Sequence, residues 1–239
     1  MPASANVTAG LVWSNDKGES ASGQMAGTAK FNAQSGLTEL ADTAGKKLIE
    51  KGTPTDIGAS GAIAWGRWIS GDSKVKDSSG SGGGEGNGKL ATLHYVTALS
   101  TPTGSTAGTF TSFASTSPTV VQSNGKLVAT GTVNSASGTF KAALFLQTTG
   151  GVNYTLTVPV SGQTFTLTGM ATQTSLSTFS GISNITSTGT GCATTCTGSL
   201  GNNVSVIGQI AGSQGTQAGV LYGFDSRLGN VSGVIVFKR

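Results

Sequence analysis

The sequence is poor in ionisable side chains. Only 10% of its 239 residues are charged, it has one histidine, and no aspartate or glutamate occurs between residues 86 and 224. General acid–base catalysis needs ionisable groups held close to one another. A hydrolase or lyase would have to combine His94 with N-terminal acids such as Asp56 or Asp72. The sequence therefore does not predict an enzyme.

Basic side chains are also few. The formal net charge is +4, and nucleic-acid-binding proteins normally concentrate their lysines and arginines in a patch interleaved with aromatic residues. After residue 85 the basic residues are instead scattered: Lys89, Lys126, Lys141, Arg227, Lys238 and Arg239. This distribution predicts no nucleic-acid partner.

The only two cysteines, Cys192 and Cys196, lie four residues apart in a segment rich in glycine and threonine. A tetrahedral zinc site would need two further ligands, and the spacing is not that of a CxxC redox motif. We expect a local disulfide between them, which indicates an oxidising compartment. No metal and no cofactor are predicted.

Long hydrophobic segments are absent, since no run approaches the roughly 18 apolar residues of a membrane helix. The first residues lead into polar sequence without the apolar region of a signal peptide. That start fits either a mature, trimmed chain or a cytoplasmic one. Low charge with abundant Ser, Thr, Gly and Asn is typical of exported bacterial surface proteins, so we expect a periplasmic, cell-surface or extracellular location.

What the sequence has in abundance is alternation with a period of two. Between residues 125 and 170, apolar residues recur at every second position and glycine-containing turns separate the runs, as in an antiparallel meander. The pattern predicts an all-β protein with an up-and-down antiparallel barrel of about eight strands over residues 61–239. An N-terminal strand segment, 1–60, would pack on this barrel or extend it. Residues 38–52 fit a helix and a strand pair equally well.

Aromatic residues suggest where a partner could bind. In the segment around residues 61–70, Trp65 and Arg67 fall on one face of a strand and Trp68 on the other. These three residues and Trp13 are the candidate partner-binding residues. Trp13 belongs to an N-terminal strand that could pair with the sheet edge of another subunit. The favoured alternative is a barrel strand with tryptophans packed on both faces. Three interpretations of His94 are open: a haem ligand, a catalytic base, or a residue of the barrel wall with hydrogen-bonded ring nitrogens. The third is favoured.

Several motifs resemble a known family over residues 61–239. They are IAWGRW (Ile63–Trp68), LHYV (Leu93–Val96), AGTFTSFASTSPT (Ala107–Thr119), GKLVATGTVN, FKAALFLQ, NYTLTV, CATTC and the closing GVLYGFDSRLGNVSGVIVF. The sequence resembles the C-terminal β-barrel of bacterial FecR-domain proteins, which is itself similar to the barrel of transferrin-binding protein B and related surface lipoproteins. The resemblance implies a filled, exported barrel and no catalytic activity.

Two functional classes follow. The first is a non-enzymatic surface module that binds a protein partner or assembles with itself, in association with the outer membrane surface. The second is a carrier of a small apolar ligand or haem inside the barrel. Large Phe, Leu and Tyr side chains on the inward faces would fill the interior, so a small-molecule ligand is the less favoured of the two.

Overall fold

The computed structural model describes residues 1–44, 47–75, 86–104, 106–144, 150–189 and 205–239. Within these residues all regular structure is β-strand, arranged as closed antiparallel barrels of six and eight strands. The prediction of an all-β antiparallel barrel fold is confirmed. The described residues include no helix long and apolar enough to cross a membrane.

The first sheet forms a six-stranded barrel with an attached hairpin. Its strands are β1 (Ser4–Asn15), β2 (Ser20–Phe31), β3 (Leu37–Asp42), β4 (Lys47–Glu50), β5 (Pro54–Ser60), β6 (Ile63–Trp68), β7 (Gly71–Val75) and β8 (Gly86–Ala98). The order β1-β2-β3-β4-β7-β8 closes because β1 also pairs with β8. One edge of β8 pairs first with β7 and then with β6, which carries the β5–β6 hairpin.

The second sheet forms an eight-stranded barrel. Its strands are β9 (Thr106–Ser115), β10 (Thr119–Val121), β11 (Leu127–Thr130), β12 (Ser137–Leu144), β13 (Gly151–Val160), β14 (Gln163–Gln173), β15 (Thr178–Gly189), β16 (Ser205–Ala211), β17 (Gln217–Ser226) and β18 (Gly229–Lys238). Strand β9 pairs with β12 and with β18, which closes the barrel. The β10–β11 hairpin is attached to this barrel through the antiparallel pairing of β10 with β18.

The division between the sheets differs from the expected one. We expected residues 1–60 to accompany a barrel over 61–239, but strands β6 to β8 belong to the first sheet and the second begins at Thr106. The cause is the pairing of Thr8–Asn15 with residues 90–98. This contact spans most of the first half of the chain, and a local alternation pattern cannot reveal it.

Alternating burial explains why the second barrel closes. Along β13, Val152, Tyr154, Leu156, Val158 and Val160 are buried, while an asparagine, two threonines and a proline lie between them. The inward residues of the barrel form one apolar cluster that contains six phenylalanines. Phe140 lies at its centre, stacked on Phe110 at 4.5 Å between ring centroids and edge-on to Phe237 at 5.0 Å. The interior is therefore filled with side chains.

Aromatic rings in both barrels cover glycines on the neighbouring strand. In each case the two residues are direct cross-strand partners, and a Cβ on the glycine would collide with the ring: Trp65 over Gly58, Tyr95 over Gly66, Tyr154 over Gly169, Phe179 over Gly208 and Tyr222 over Gly233. Glycine weakens a strand, and an aromatic partner that covers the exposed backbone offsets this. The repeated pairing also fixes the strand register.

Two local ambiguities are resolved by the structure. Residues 38–52 form strands β3 and β4, so the strand-pair interpretation of this segment is correct within the residues described. The second is the connection between the two closing strands, around Asp225. Strands β17 and β18 pair up to Ser226 and Gly229, which leaves only a tight hairpin turn between them.

Candidate functional site

Strand β6 carries three of the four predicted partner-binding residues, and the structure buries all three. Trp65 and Arg67 are each 7% exposed and Trp68 is fully buried. The Trp68 indole Nε1 donates a 2.6 Å hydrogen bond to the carbonyl of Leu37 inside the first barrel, and the Trp65 ring meets Phe113 edge-on at 5.7 Å. These residues do not form an exposed binding surface, because both faces of β6 are covered.

The outward face of β6 is covered by the second barrel. We call this contact the joint: on the first barrel it comprises Val12, Ile63, Trp65, Val96 and Ala98, and on the second Ala211, Leu221, Val234 and Val236. Glycines allow the strands to approach closely. A Cβ on Gly219 would lie 2.3 Å from a Val96 methyl, and one on Gly10 would lie 2.5 Å from a Leu221 methyl.

Two turns interlock beside the joint. The turn after β1 and the turn after β10 are in backbone contact, so that a Cβ on Gly18 would lie 2.1 Å from the Ser123 carbonyl oxygen and a Cβ on Gly125 would lie 2.1 Å from that of Asp16. Both glycines have positive φ, 83° and 78°. Any side chain at either position would be strained and would push the turns apart.

His94 lies fully buried where the two barrels meet. Its Nδ1 and Nε2 each lie 2.8 Å from a hydroxyl, Thr116 Oγ1 and Thr119 Oγ1. Thr116 Oγ1 accepts a hydrogen bond from the Val234 amide, and Thr119 Oγ1 lies 3.1 Å from Ser232 Oγ. All these groups are satisfied when Thr116 donates to Nδ1 and the imidazole donates from Nε2 to Thr119. The preferred interpretation of His94 as a hydrogen-bonded wall position is correct.

Protonation of His94 is strongly disfavoured. Burial and, next, the nearby Arg67 charge lower the pKa of His94 to about 3, although the Asp56 carboxylate opposes the shift. A charged imidazole would also donate from Nδ1 and leave the Thr116 hydroxyl proton without an acceptor. With both nitrogens engaged and no solvent access, His94 is available neither as a base nor as a haem ligand.

Asp56 connects the same region of the two barrels. Its Oδ2 accepts hydrogen bonds of 2.9 Å from Arg67 Nε and from the Ser117 amide. Burial raises the pKa of Asp56, but the hydrogen bonds from Arg67 and Ser117 outweigh it and leave the pKa below its ordinary value. Asp72, the other acid considered for catalysis, pairs at 2.9 Å with Lys51 at the surface. Both carboxylates are thus engaged by cations.

Trp13, the fourth predicted residue, lies at an opening. Strands β1, β2, β4, β7 and β8 surround a cavity of about 450 Å³ at one end of the first barrel, which we call the mouth. Trp13 and Met25 are partly exposed and pack against the buried core residues Leu11, Ile49 and Leu90. The mouth is therefore an apolar recess that continues into the barrel core.

Charged residues surround the mouth: Lys17, Glu19, Lys47 and Lys74. Asn15 Nδ2 donates a 2.6 Å hydrogen bond to Glu19, and Lys74 forms an ion pair with Glu50. Lys17 and Lys47 have no ion pair within the part of the chain that the structure describes. Glu19 keeps its negative charge because Asn15 is a neutral amide, so among the described residues at the mouth two lysines without an ion pair face one carboxylate without one, and the net charge is positive.

The predicted disulfide between Cys192 and Cys196 lies outside the described residues. Among those that are described, sequence reasoning missed Thr116 and Thr119. In a chain so rich in Ser and Thr, hydroxyls that will face a histidine have no local signature. The mouth was also missed, since it depends on which strands close the first barrel.

Comparisons with known proteins give only distant structural similarity. No family model and no curated protein matches the chain. Its structure is similar to transferrin-binding protein B from serogroup B Neisseria meningitidis, with 12% identity and a TM-score of 0.43, over 98% of this chain and 43% of the other. The same protein from Haemophilus parasuis gives 10% identity and a TM-score of 0.44, over 98% and 45%. The chain spans less than half the length of these two structures.

A surface lipoprotein of similar length is a third structural neighbour, with 11% identity and a TM-score of 0.40 over 100% of this chain and 99% of the other. The neighbours thus include transferrin-binding protein B and a surface lipoprotein. At this level of similarity none of them assigns a function to the chain. The resemblance to FecR-domain proteins stays a prediction.

Proposed function

We propose that this chain is a non-enzymatic bacterial binding module, exported to the periplasm, the cell surface or the medium, that engages a protein partner at the mouth of its first barrel. The observation that carries the proposal is the position of Trp13. It is partly exposed beside Met25 in an apolar recess, whereas Trp65 and Trp68 are buried. A partly exposed tryptophan in a recess is the kind of residue that dominates binding energy at protein interfaces.

The experiment compares three immobilised baits: the full chain, Trp13→Ala and Val133→Ala. Val133 is 46% exposed in the connection between β11 and β12 of the second sheet and does not line the mouth, so it serves as the matched control. Envelope and medium fractions of the source cells are passed over each bait. We expect a partner that the full chain and the control retain, with affinity reduced at least about tenfold by Trp13→Ala. If no retained protein depends on Trp13, the proposal is wrong.

Self-assembly is a version of the same proposal in which the partner is a second copy of the chain. Sedimentation of the purified full chain over a range of concentrations tests it, with Trp13→Ala as the comparison. A concentration-dependent dimer that Trp13→Ala disrupts would identify the partner as a second copy. A dimer that this variant leaves intact would place the contact elsewhere and contradict the role of Trp13.

A second candidate function is a carrier for a small apolar ligand, and the mouth favours it. A cavity of about 450 Å³ lies within the range of small-molecule sites. The interior of the second barrel is filled by its phenylalanines and the other residues of its apolar cluster. A carrier would therefore use the first barrel. Its haem version would need a ligand other than His94.

A further inference from the structure

The mouth combines an apolar interior with a positively charged rim, and this combination restricts the chemistry of an occupant. The innermost contacts are aliphatic: Leu11, Ile49 and Leu90 are buried core residues that the recess reaches. Small residues, Ala21, Gly23 and Gly88, line part of its wall and leave it wide. Such an interior fits a hydrocarbon chain, which gains from leaving water and needs no polar partner.

The rim supplies the complementary group. Glu50 neutralises Lys74, whereas Glu19 keeps its charge because its partner Asn15 is a neutral amide. Lys17 and Lys47 have no ion pair among the described residues, so the rim is positive by one charge. Flexible lysines at the edge of an apolar recess keep their stems on its wall and their ammonium groups in water. There they would meet a carboxylate at the outer end of a buried chain.

We propose that the mouth of the first barrel binds a single-chain anionic amphiphile, with its hydrocarbon tail beside Trp13 and Met25 and its carboxylate between Lys17 and Lys47. This inference rests on the second candidate function above and does not require a protein partner. The tail supplies affinity and the rim selects the charge. The ligand class is therefore a fatty acid or a similar molecule with one acidic head group.

The test uses three probes with the same tail and different heads: dodecanoate and dodecyltrimethylammonium, each below its critical micelle concentration, and dodecanol, below its solubility limit. Binding to the full chain is followed by tryptophan fluorescence, to which Trp13 is the partly exposed contributor, and by thermal shift. We expect saturable binding with dodecanoate about tenfold tighter than dodecanol, because charge-assisted contacts add to the tail. The ammonium probe should bind weakest, and added salt should narrow the difference.

Two sets of variants separate the tail from the head group. Lys17→Glu with Lys47→Glu should abolish the preference for dodecanoate and favour the ammonium probe, while Lys141→Glu with Lys238→Glu, two exposed lysines on the second barrel beside β9, should leave the preference unchanged. Trp13→Phe should remove the fluorescence response but keep the thermal shift. All four lysines are surface positions outside the apolar core, so the chain should remain folded.

The outcomes also distinguish this inference from the proposed functions. Equal affinities for dodecanoate and dodecanol would contradict the selection of an anionic head group. The result would still be consistent with a carrier of apolar ligands. Absence of saturable binding by all three probes would overturn both the amphiphile and the carrier. In that case the proposal of a protein partner is tested by the retention experiment alone, and it requires a retained protein whose binding depends on Trp13. A dodecanoate preference that survives the Lys17 and Lys47 reversals would place the site elsewhere and would also contradict the inference.

Discussion

The two barrels are built from the same alternating pattern but differ in charge and in filling. Up to residue 104 the chain has nine basic and nine acidic residues, whereas from residue 105 onward it has five and one. The second barrel is closed around a phenylalanine cluster, while the first reaches solvent at its mouth. The filled interior thus belongs to the larger barrel and the open recess to the smaller one.

The largest effect is expected from opening a cavity in the second barrel. Phe140→Ala removes a ring that contacts Phe110, Phe179 and Phe237. We expect the free energy of unfolding to fall by about 3–5 kcal/mol, because the surrounding rings cannot fill the space. Urea unfolding measures it, with the exposed Ile182→Ala as control. A loss as small as that of the control would show that this interior is loosely packed.

The next effect tests the connection between the barrels. Asp56→Asn removes the charge that compensates Arg67 while it keeps an oxygen to accept from the Ser117 amide. An uncompensated charge this deeply buried should lower stability by about 2–4 kcal/mol. Asp72→Asn, at the surface pair with Lys51, is the matched control and should have a much smaller effect. Equal losses for both variants would mean that burial of the Asp56–Arg67 pair has little energetic weight.

His94 predicts how the stability of the joint depends on pH. The pKa of His94 is about 3 in the folded chain, compared with 6.5 in the unfolded chain. Between these values the unfolded chain binds a proton that the folded chain does not, so stability is greatest above pH 6.5. It should fall toward pH 3, by up to about 1.4 kcal/mol for each pH unit.

Unfolding measured from pH 7 to pH 4.5 tests this dependence while the carboxylates are still ionised. The variant His94→Gln lacks the titrating group, so its stability should be lower at neutral pH and nearly constant across the same range. A wild-type profile as flat as that of the variant would contradict the buried, neutral imidazole.

The smallest effect is expected at the charged surface of the first barrel. Lys30 pairs with Glu39 at 2.9 Å, but the lysine side chain is 58% exposed. Lys30→Ala should change the free energy of unfolding by less than about 1 kcal/mol, and less still at high salt. A larger loss would mean that surface charge stabilises the first barrel as aromatic packing stabilises the second.

The sequence predicted most where the information is local. Alternation around Trp65 and Trp68 correctly placed one tryptophan on each face of a strand, and the glycine-rich turns located the meander of the second barrel. The filled interior follows from the inward phenylalanines. These features depend on neighbours within one or two strands, so the pattern contains them.

What the sequence could not provide is long-range pairing. The closure of the first barrel pairs Val12 with His94, and no local period reveals such a partner. The mouth around Trp13 and the hydroxyls around His94 exist only after that closure. The burial of Trp65, Arg67 and Trp68 was missed for the same reason: the faces of their strand were correctly identified, but not what covers them.

The interlocked turns at Gly18 and Gly125 have a consequence for how the chain can be divided. The segment 99–105 joins the barrels covalently. Their relative orientation, however, is held by the joint, which includes Val96, Leu221 and Val234, and by the two turns. A polypeptide break in that segment would therefore remove connectivity without removing the orientation. The two halves, produced as separate chains, should reassemble into the intact arrangement, which makes this segment a natural place for a split-protein reporter.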